Sequence, residues 1–364
     1  MSRSIRVATA RAAAIVCVAA AIVAAPVETS TQNGATTVIG GLIGPRGLAV
    51  GPAGRLVWAE GDGSFSELIA RGAMSGSTIR LGSAPATYIA PAVATDGGQL
   101  FLLTAAGAPH SGAFTLYRAT NGTLRPLADI EAYQQTDPDP FNLADDPAES
   151  NPFGVAALRD GSVLVSDAAA NDLLRVYPNG RIETVARLKP RVVPVPDELP
   201  DEFNGQPLPP AGTPIPSEAV ATSVAVGADG YYYVGELRGF PATPGTSQIW
   251  RIAPDSVNAV CDPAAPATGR CQRYADGFTS IVDLEAGADG SLYVVELVQQ
   301  SWLQWEMGLA DPPIGGVFRI PPGGGAPTEL APGELMLPGG VAVANGAVYA
   351  TTPVFGPGRI VRVQ

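Results

Sequence analysis

Side chains that could act as a neutral-pH base or an amine nucleophile are almost missing from this 364-residue chain. There is one histidine, His110, and one lysine, Lys189. A lone histidine cannot build the paired or triple histidine sites of catalytic zinc and iron centres. A Ser-His-Asp system would have to use His110, and no Gly-x-Ser-x-Gly elbow occurs. Lys189 sits in a proline-rich loop beside Pro190, which argues against Schiff-base chemistry. Phosphate-loop and dinucleotide fingerprints do not occur either. Cysteine is scarce, with Cys17, Cys261 and Cys271 and no CxxC spacing. What survives these exclusions is acid–base chemistry by carboxylates, Ca²⁺-assisted hydrolysis of the lactonase kind, or no catalysis at all.

Turn-forming residues, by contrast, are abundant. Gly (43) and Pro (35) make up about a fifth of the chain with no Gly-X-Y period, so long helices are disfavoured and an all-β fold is expected. Arg3, Arg6 and Arg11 precede an apolar run from Ala12 to Ala24, which reads as a secretory signal peptide over residues 1–25, cleaved near Val23-Ala24-Ala25. The alternative is an uncleaved anchor, for which the run is short. Cys17 belongs to that run. Losing the three arginines takes the formal net charge from −12 to −15. Such an acidic, lysine-poor surface disfavours nucleic acid and, after signal cleavage, anionic membranes as partners. In an exported chain, Cys261 and Cys271 read as a local disulfide.

One unit recurs six times. Two short apolar strands flank a Gly-bearing turn in Gly47-Leu48-Ala49-Val50 … Leu56-Val57-Trp58-Ala59, and again after Pro91, Gly154, Ser223, Asp283 and Gly340. A second hairpin follows most copies, led by an apolar-x-Arg strand such as Leu173-Leu174-Arg175 or Ile249-Trp250-Arg251. Four antiparallel strands per unit make a propeller blade. The expected fold is therefore a six-bladed β-propeller over residues 26–364, with blades near 43–80, 89–128, 151–186, 221–275, 280–331 and 337–364. The last copy ends after three strands, so the orphan segment 35–40 should supply its fourth and close the ring. An open sandwich is the competing arrangement.

Propeller geometry sorts the loops. First–second and third–fourth turns share one face and are tight here, apart from 254–270. The long segments 105–113, 128–151, 187–220, 237–247 and 297–315 share the other, which makes it the expected ligand side. Segment 187–220 holds nine prolines and reads as a stiff lid or a mobile strap. Trp302 and Trp305 could stack on a sugar or planar ligand, or form an apolar plug. Asp137, Asp139 and Asp145 lie in an acidic loop that could hold Ca²⁺, although without EF-hand spacing, so a solvated loop is the alternative. Asp283 alone breaks a column of small residues on the innermost strands, making it the candidate channel-facing and catalytic carboxylate. Glu60, Asp167, Glu236 and Glu296 end the second strands. They either ring the channel mouth, accept hydrogen bonds, or pair with the recurrent arginines.

Three stretches carry a family resemblance: Tyr233-Val234-Gly235-Glu236-Leu237 with Gly239-Phe240-Pro241; Tyr274-Ala275-Asp276-Gly277-Phe278-Thr279 leading to Ile281-Val282-Asp283-Leu284; and Leu292-Tyr293-Val294-Val295-Glu296. They resemble NHL-type repeats and, over residues 150–300 above all, the ScyD/ScyE family. The resemblance implies an exported six-bladed propeller and carries over no catalytic residues. The expected role is a scaffold binding a small molecule, glycan or protein. The alternative is a carboxylate-based, Ca²⁺-dependent hydrolase, lactonase or lyase, or an accessory enzyme of secondary metabolism.

Overall fold

Short apolar strands separated by glycine turns have one economical way to bury both faces: stacking sheet against sheet around an axis. The structure, a computed structural model, describes residues 34–69, 76–96, 98–108, 111–120 and 122–364. The expected signal peptide, with Cys17, and His110 lie outside the described residues.

Six antiparallel four-stranded blades surround the axis, and the sheet of blade 3 gains a fifth strand from outside the blade. Blade 1 contains Leu48–Val50, Leu56–Ala59, Ser64–Leu68 and Thr78–Ser83, and blade 2 contains Ala92–Asp96, Gln99–Leu103, Thr115–Thr120 and Thr123–Asp129. Blade 3 runs through Pro152–Ala157, Val163–Asp167, Asp172–Val176 and Ile182–Leu188, and blade 4 through Ala221–Val226, Tyr232–Glu236, Ser247–Ile252 and Cys271–Phe278. Blade 5 comprises Ile281–Ala286, Leu292–Glu296, Gly316–Ile320 and Thr328–Leu330. Blade 6 has Gly340–Ala344, Ala347–Thr352 and Pro357–Arg362, and its outer strand is Thr36–Ile43 from the other end of the chain. Thr37 pairs with Val361 and Ile39 with Ile360, antiparallel, so the expected strand closure is present. First strands touch in sequence around the axis, and that of blade 6 touches that of blade 1.

Burial follows radius. The second strands of blades 3, 4 and 5 are buried at every residue, whereas the outer strands Thr36–Ile43 and Thr78–Ser83 are mostly exposed. Apolar clusters fill the gaps between neighbouring blades, among them Phe101 and Leu116 with Val163 and Leu174 for blades 2 and 3, and Leu48 and Trp58 with Ala342 and Ile360 across the closure. Near the axis the blades crowd, which explains the column of small residues. A Cβ on Gly47 would come within 2.4 Å of the Pro91 carbonyl oxygen, and one on Gly340 within 2.1 Å of the Arg46 carbonyl oxygen.

Two long segments are more ordered than their composition implies. The proline-rich 187–220 folds into the hairpins Arg191–Pro194/Pro214–Ser217 and Glu202–Phe203/Gln206–Pro207. Val195 and Leu199 then pack on Ala242 and Leu303, so this segment is a fixed cover rather than a mobile strap. The loop 254–270 carries Ala259–Cys261 alongside blade 3's outer strand, in parallel. The Cys261–Cys271 disulfide anchors it, with Cα atoms 5.0 Å apart. The pairing covers a sheet edge that would otherwise be open.

Candidate functional site

The axis is where six chains of backbone converge, and its side chains are decided by one local distortion. In blades 3, 4 and 5 a register shift interrupts the first strand, between Pro152 and Gly154, Ala221 and Ser223, and Ile281 and Asp283. A bulge turns two successive side chains the same way. Phe153 and Gly154, and likewise Val282 and Asp283, therefore line one axial cavity together with Arg46.

Arg46 stoppers this channel. It is 4% exposed, its guanidinium lies 3.8 Å from the centre of the Phe153 ring, and it donates to the carbonyls of Ala90 (3.2 Å) and Phe153. Burial lowers its pKa to about 10, and the charge of Asp283 works against that fall. Asp283 accepts from the backbone N–H of Val341 at 2.8 Å, which ties blade 5 to blade 6. Burial raises Asp283 to about 7, and burial together with the Asp283 charge raises Glu285 to about 8. Asp283 lines the cavity, and both residues are half-buried. The cavities on either side of Arg46 are about 20 Å³ each, room for about one water molecule.

The two mouths differ in chemistry. On the long-loop face the recess above Arg46 is apolar, framed by Ile89, Phe153, Val282, Leu297, Val354 and Phe355. All six blades or their crossovers pave this mouth with buried apolar residues. On the tight-turn face a basin of about 1040 Å³ opens between the first–second turns of blades 2 to 6, including Asp96, Leu158–Asp160, Gly227, Gly287 and Asn345. That side was not expected to carry an opening of this size.

The acids that end the second strands do not ring the channel. Asp167 and Glu236 are fully buried, and Glu296 is nearly so. Glu60 accepts from Ile43 N–H (2.7 Å), Asp167 from Asn151 N–H (2.7 Å) and Glu296 from Thr279 N–H (2.7 Å), each binding its second strand to the segment entering the blade. Glu236 instead holds Gln248 N–H (3.0 Å), the Trp250 indole (2.7 Å) and Arg238. Burial raises Glu296 to about 8.

Pairing with the recurrent arginines is corrected in the same way. Those arginines reach the aspartate of their own blade's first–second turn: Arg175 to Asp160, Arg251 to Asp229 (3.0 Å) and Arg319 to Asp289 (2.9 Å). Blade 1 reverses the polarity, with Arg55 on the turn and Glu67 on the third strand, 2.7 Å apart. An Asp at this turn and an Arg on strand three are neighbours by sheet register, whereas the second-strand acids lie at the opposite end of the blade.

The Ca²⁺ candidates are not brought together. Asp137 pairs with Arg187 (2.5 Å) and accepts from Thr184. Asp139 accepts from Phe141 N–H (2.8 Å) and the Asn171 amide (3.1 Å), while Asp145 is exposed. Among the described residues no three His, Cys, Asp or Glu side chains converge as a metal site. Trp302 donates its indole N–H to the Arg238 carbonyl at 2.8 Å, and Trp305 stacks on Phe355 with ring centres 5.4 Å apart. Both rest on the apolar core of the long-loop face as a plug. The residues missed from the sequence are Arg46, Phe153, Glu285 and the turn aspartates. Aligning the repeats one residue earlier and two residues later than the Asp283 column would have exposed Arg46 and Glu285, each the sole charge in its column.

These buried acids predict an inverted pH response. The folded chain holds protons on Asp283, Glu285 and Glu296 up to pH 7–8, whereas an unfolded carboxylate releases its proton near 4. The stability these protons contribute should therefore be greatest below about pH 4 and fall as pH climbs from there to 7–8, by up to about 1.4 kcal/mol per proton per pH unit, levelling off above pH 8. Thermal melts from pH 6 to 9 measure this. Glu296→Gln should flatten the fall, and a midpoint that rises with pH would contradict the assignment.

No family model matches the chain, and no curated protein matches it. Solved structures do. The aldose sugar dehydrogenase of Streptomyces coelicolor, in its PQQ-bound form, is 14% identical with a TM-score of 0.51, covering 90% of this chain and 95% of that one. The gluconolactonase of Xanthomonas campestris is 11% identical with a TM-score of 0.53, covering 90% and 89%. The calcium-binding protein regucalcin of Agrobacterium tumefaciens is 12% identical with a TM-score of 0.50, covering 91% and 95%. At such identities the likeness is one of architecture, and that architecture is the six-bladed β-propeller.

Proposed function

We propose that this protein is an exported, non-enzymatic propeller of the ScyD/ScyE type that binds a partner through its long-loop face. One observation carries the reading. Asp283, the carboxylate that lines the axial cavity, faces a space of about 20 Å³ behind the Arg46 stopper, which leaves no room for a substrate beside it. The chemically suggestive groups are thus structural, and binding falls to the surface. Exposed large apolar residues favour the long-loop side, where Ile43, Tyr88, Val192, Leu309 and Met336 stand at 37–66% exposure. They share this face with the packed 187–220 cover and the Trp305–Phe355 stack, a surface suited to a protein or an apolar ligand. The disulfide supports an oxidising, extracytoplasmic setting. Among the described residues no helix is long and apolar enough to cross a membrane.

A second reading is favoured by one specific feature. Asp283 at about 7 and Glu285 at about 8 form a neighbouring acid pair near working pH, as proton-transfer catalysis requires. Lactone hydrolysis, the activity the name gluconolactonase denotes for that neighbour, would use them. The residues do not fit a Ca²⁺-dependent version, because the acidic side chains are bonded to separate partners. Two measurements decide between the readings. Thermal melts with 5 mM-scale Ca²⁺ or EDTA should coincide, since a bound ion would raise the midpoint by mass action. A panel of γ- and δ-lactones should show no turnover above buffer. Turnover that disappears in Asp283→Asn would replace the binding reading with the catalytic one.

A further inference from the structure

We infer that the tight-turn face carries a second, independent binding site, a cleft between blades 4 and 5 that takes a neutral saccharide. The cleft encloses about 550 Å³, within the roughly 300–1,000 Å³ of small-molecule sites. Its walls come from the first–second turns of both blades, the outer strand of blade 4 and the third–fourth turn of blade 5. It lies on the opposite side of the ring from the surface assigned to the partner.

The chemistry of the lining selects the ligand. Tyr274 and Tyr233 meet edge to face with ring centres 4.8 Å apart, forming an aromatic wall against which the C–H face of a sugar ring can pack. Leu292, Pro322 and Ala228 extend that apolar surface. Asp229 and Arg251 supply the polar edge. Asp229 Oδ2 accepts from Arg251 Nε and Nη2, both at 3.0 Å, and from the Tyr233 hydroxyl at 2.9 Å. The Arg251 guanidinium is held further by the Tyr231 ring, 3.2 Å from its centre. Among the described residues Asp229 Oδ1 receives only the Tyr231 N–H, at 3.1 Å, and no hydrogen bond engages Arg251 Nη1 or the Tyr274 hydroxyl. A pre-oriented acceptor, a guanidinium donor and a phenol thus border an aromatic wall. Hydroxyl groups, which donate and accept at once, match that set.

Charge argues against the other polar ligands of this size. Asp229 and Arg251 cancel, so the cleft offers no net charge to an acid or an amine. The chain's formal net charge of −12 disfavours nucleotides and other polyanions. The rim remains open because the third–fourth turn of blade 5 runs through Gly323, Gly324 and Gly325, all at positive φ and without side chains to fill the space.

The test is a neutral-glycan array probed with labelled residues 26–364, followed by calorimetric titration of the best ligand alongside maltose, cellobiose and chitobiose. Binding to at least one neutral glycan is expected. Tyr274→Ala should weaken it at least about tenfold, and Tyr274→Phe should retain most of it. Ala228→Trp, at an exposed rim position away from the core, should obstruct the cleft without disturbing the fold, and so keeps the test decisive if Tyr274→Ala is unstable. The inference is overturned if no neutral glycan binds at millimolar concentration, or if binding survives Ala228→Trp unchanged. Exclusive binding of charged glycans or nucleotides would overturn it equally.

Discussion

A chain that begins at Gly44 should fail to fold cooperatively. The segment removed, Thr36–Ile43, is the outer strand of blade 6, paired along Pro357–Arg362. It also buries Leu42 against Leu48, Trp58 and Ile360, where blade 6 meets blade 1. Without it the two ends of the chain no longer share a sheet, and the ring is held at that seam by side-chain packing alone. The loss combines a ladder of backbone hydrogen bonds, an apolar anchor and the restraint on a very long loop. Each is worth a kilocalorie or more, and together they are comparable with the whole stability of a typical domain, about 5–15 kcal/mol. Calorimetry should show a broad or missing transition, and size-exclusion should show an expanded or aggregated species. A truncated protein melting within two or three degrees of the parent would show that the seam does not depend on this strand.

Arg46→Ala should lower the free energy of unfolding by about 3–5 kcal/mol, the usual cost of removing one member of a buried charged network. The alanine leaves the buried carbonyls of Ala90 and Phe153 without their donor and removes the cation from the Phe153 ring. It also deprives Asp283 of the one positive charge that lowers its pKa, so Asp283 should titrate higher still. Pairing Arg46→Ala with Asp283→Asn should cost measurably less than the two single changes summed, because residues in electrical contact are not additive. Urea unfolding of the two single variants and the double variant measures the coupling. Strict additivity would show that the guanidinium and carboxylate do not act on each other. In Arg46→Ala the recesses above and below the stopper should merge, which makes this variant the sharpest control for the lactone panel. If the wild-type stopper alone hides catalytic carboxylates, turnover should emerge when it is removed.

Much of the architecture was legible because a propeller repeats its own local physics. Each copy needs a small residue where blades crowd, a glycine turn and two apolar strands, and those requirements recur at matching places in the chain. Asp283 was recognisable as axial for that reason. It interrupts a column where Gly47, Gly154 and Gly340 meet neighbouring backbone. The disulfide was readable from the expectation of export and the short interval between Cys261 and Cys271. The partners of Arg175, Arg251 and Arg319 were left open because hairpin register, not residue type, decides which acid stands opposite each. The 187–220 segment was left open between a stiff lid and a mobile strap for another reason. Proline content reports stiffness but says nothing of the apolar neighbours, Ala242 and Leu303, which arrive from other blades.

By itself the order of residues determined the class of fold, the number of blades and the strand that closes them, since each follows from interactions within some forty residues or from counting strands. The tertiary structure alone decided what occupies the axis and that the tight-turn face holds large openings. Arg46 reaches Phe153 across 107 positions of sequence, and bulges in separate blades aim Phe153 and Asp283 into one cavity. Tyr233 and Tyr274 become a wall only when the turns of blade 5 stand opposite them. Contacts of that range depend on how whole sheets pack, and packing is a property of the assembled ring rather than of any one repeat.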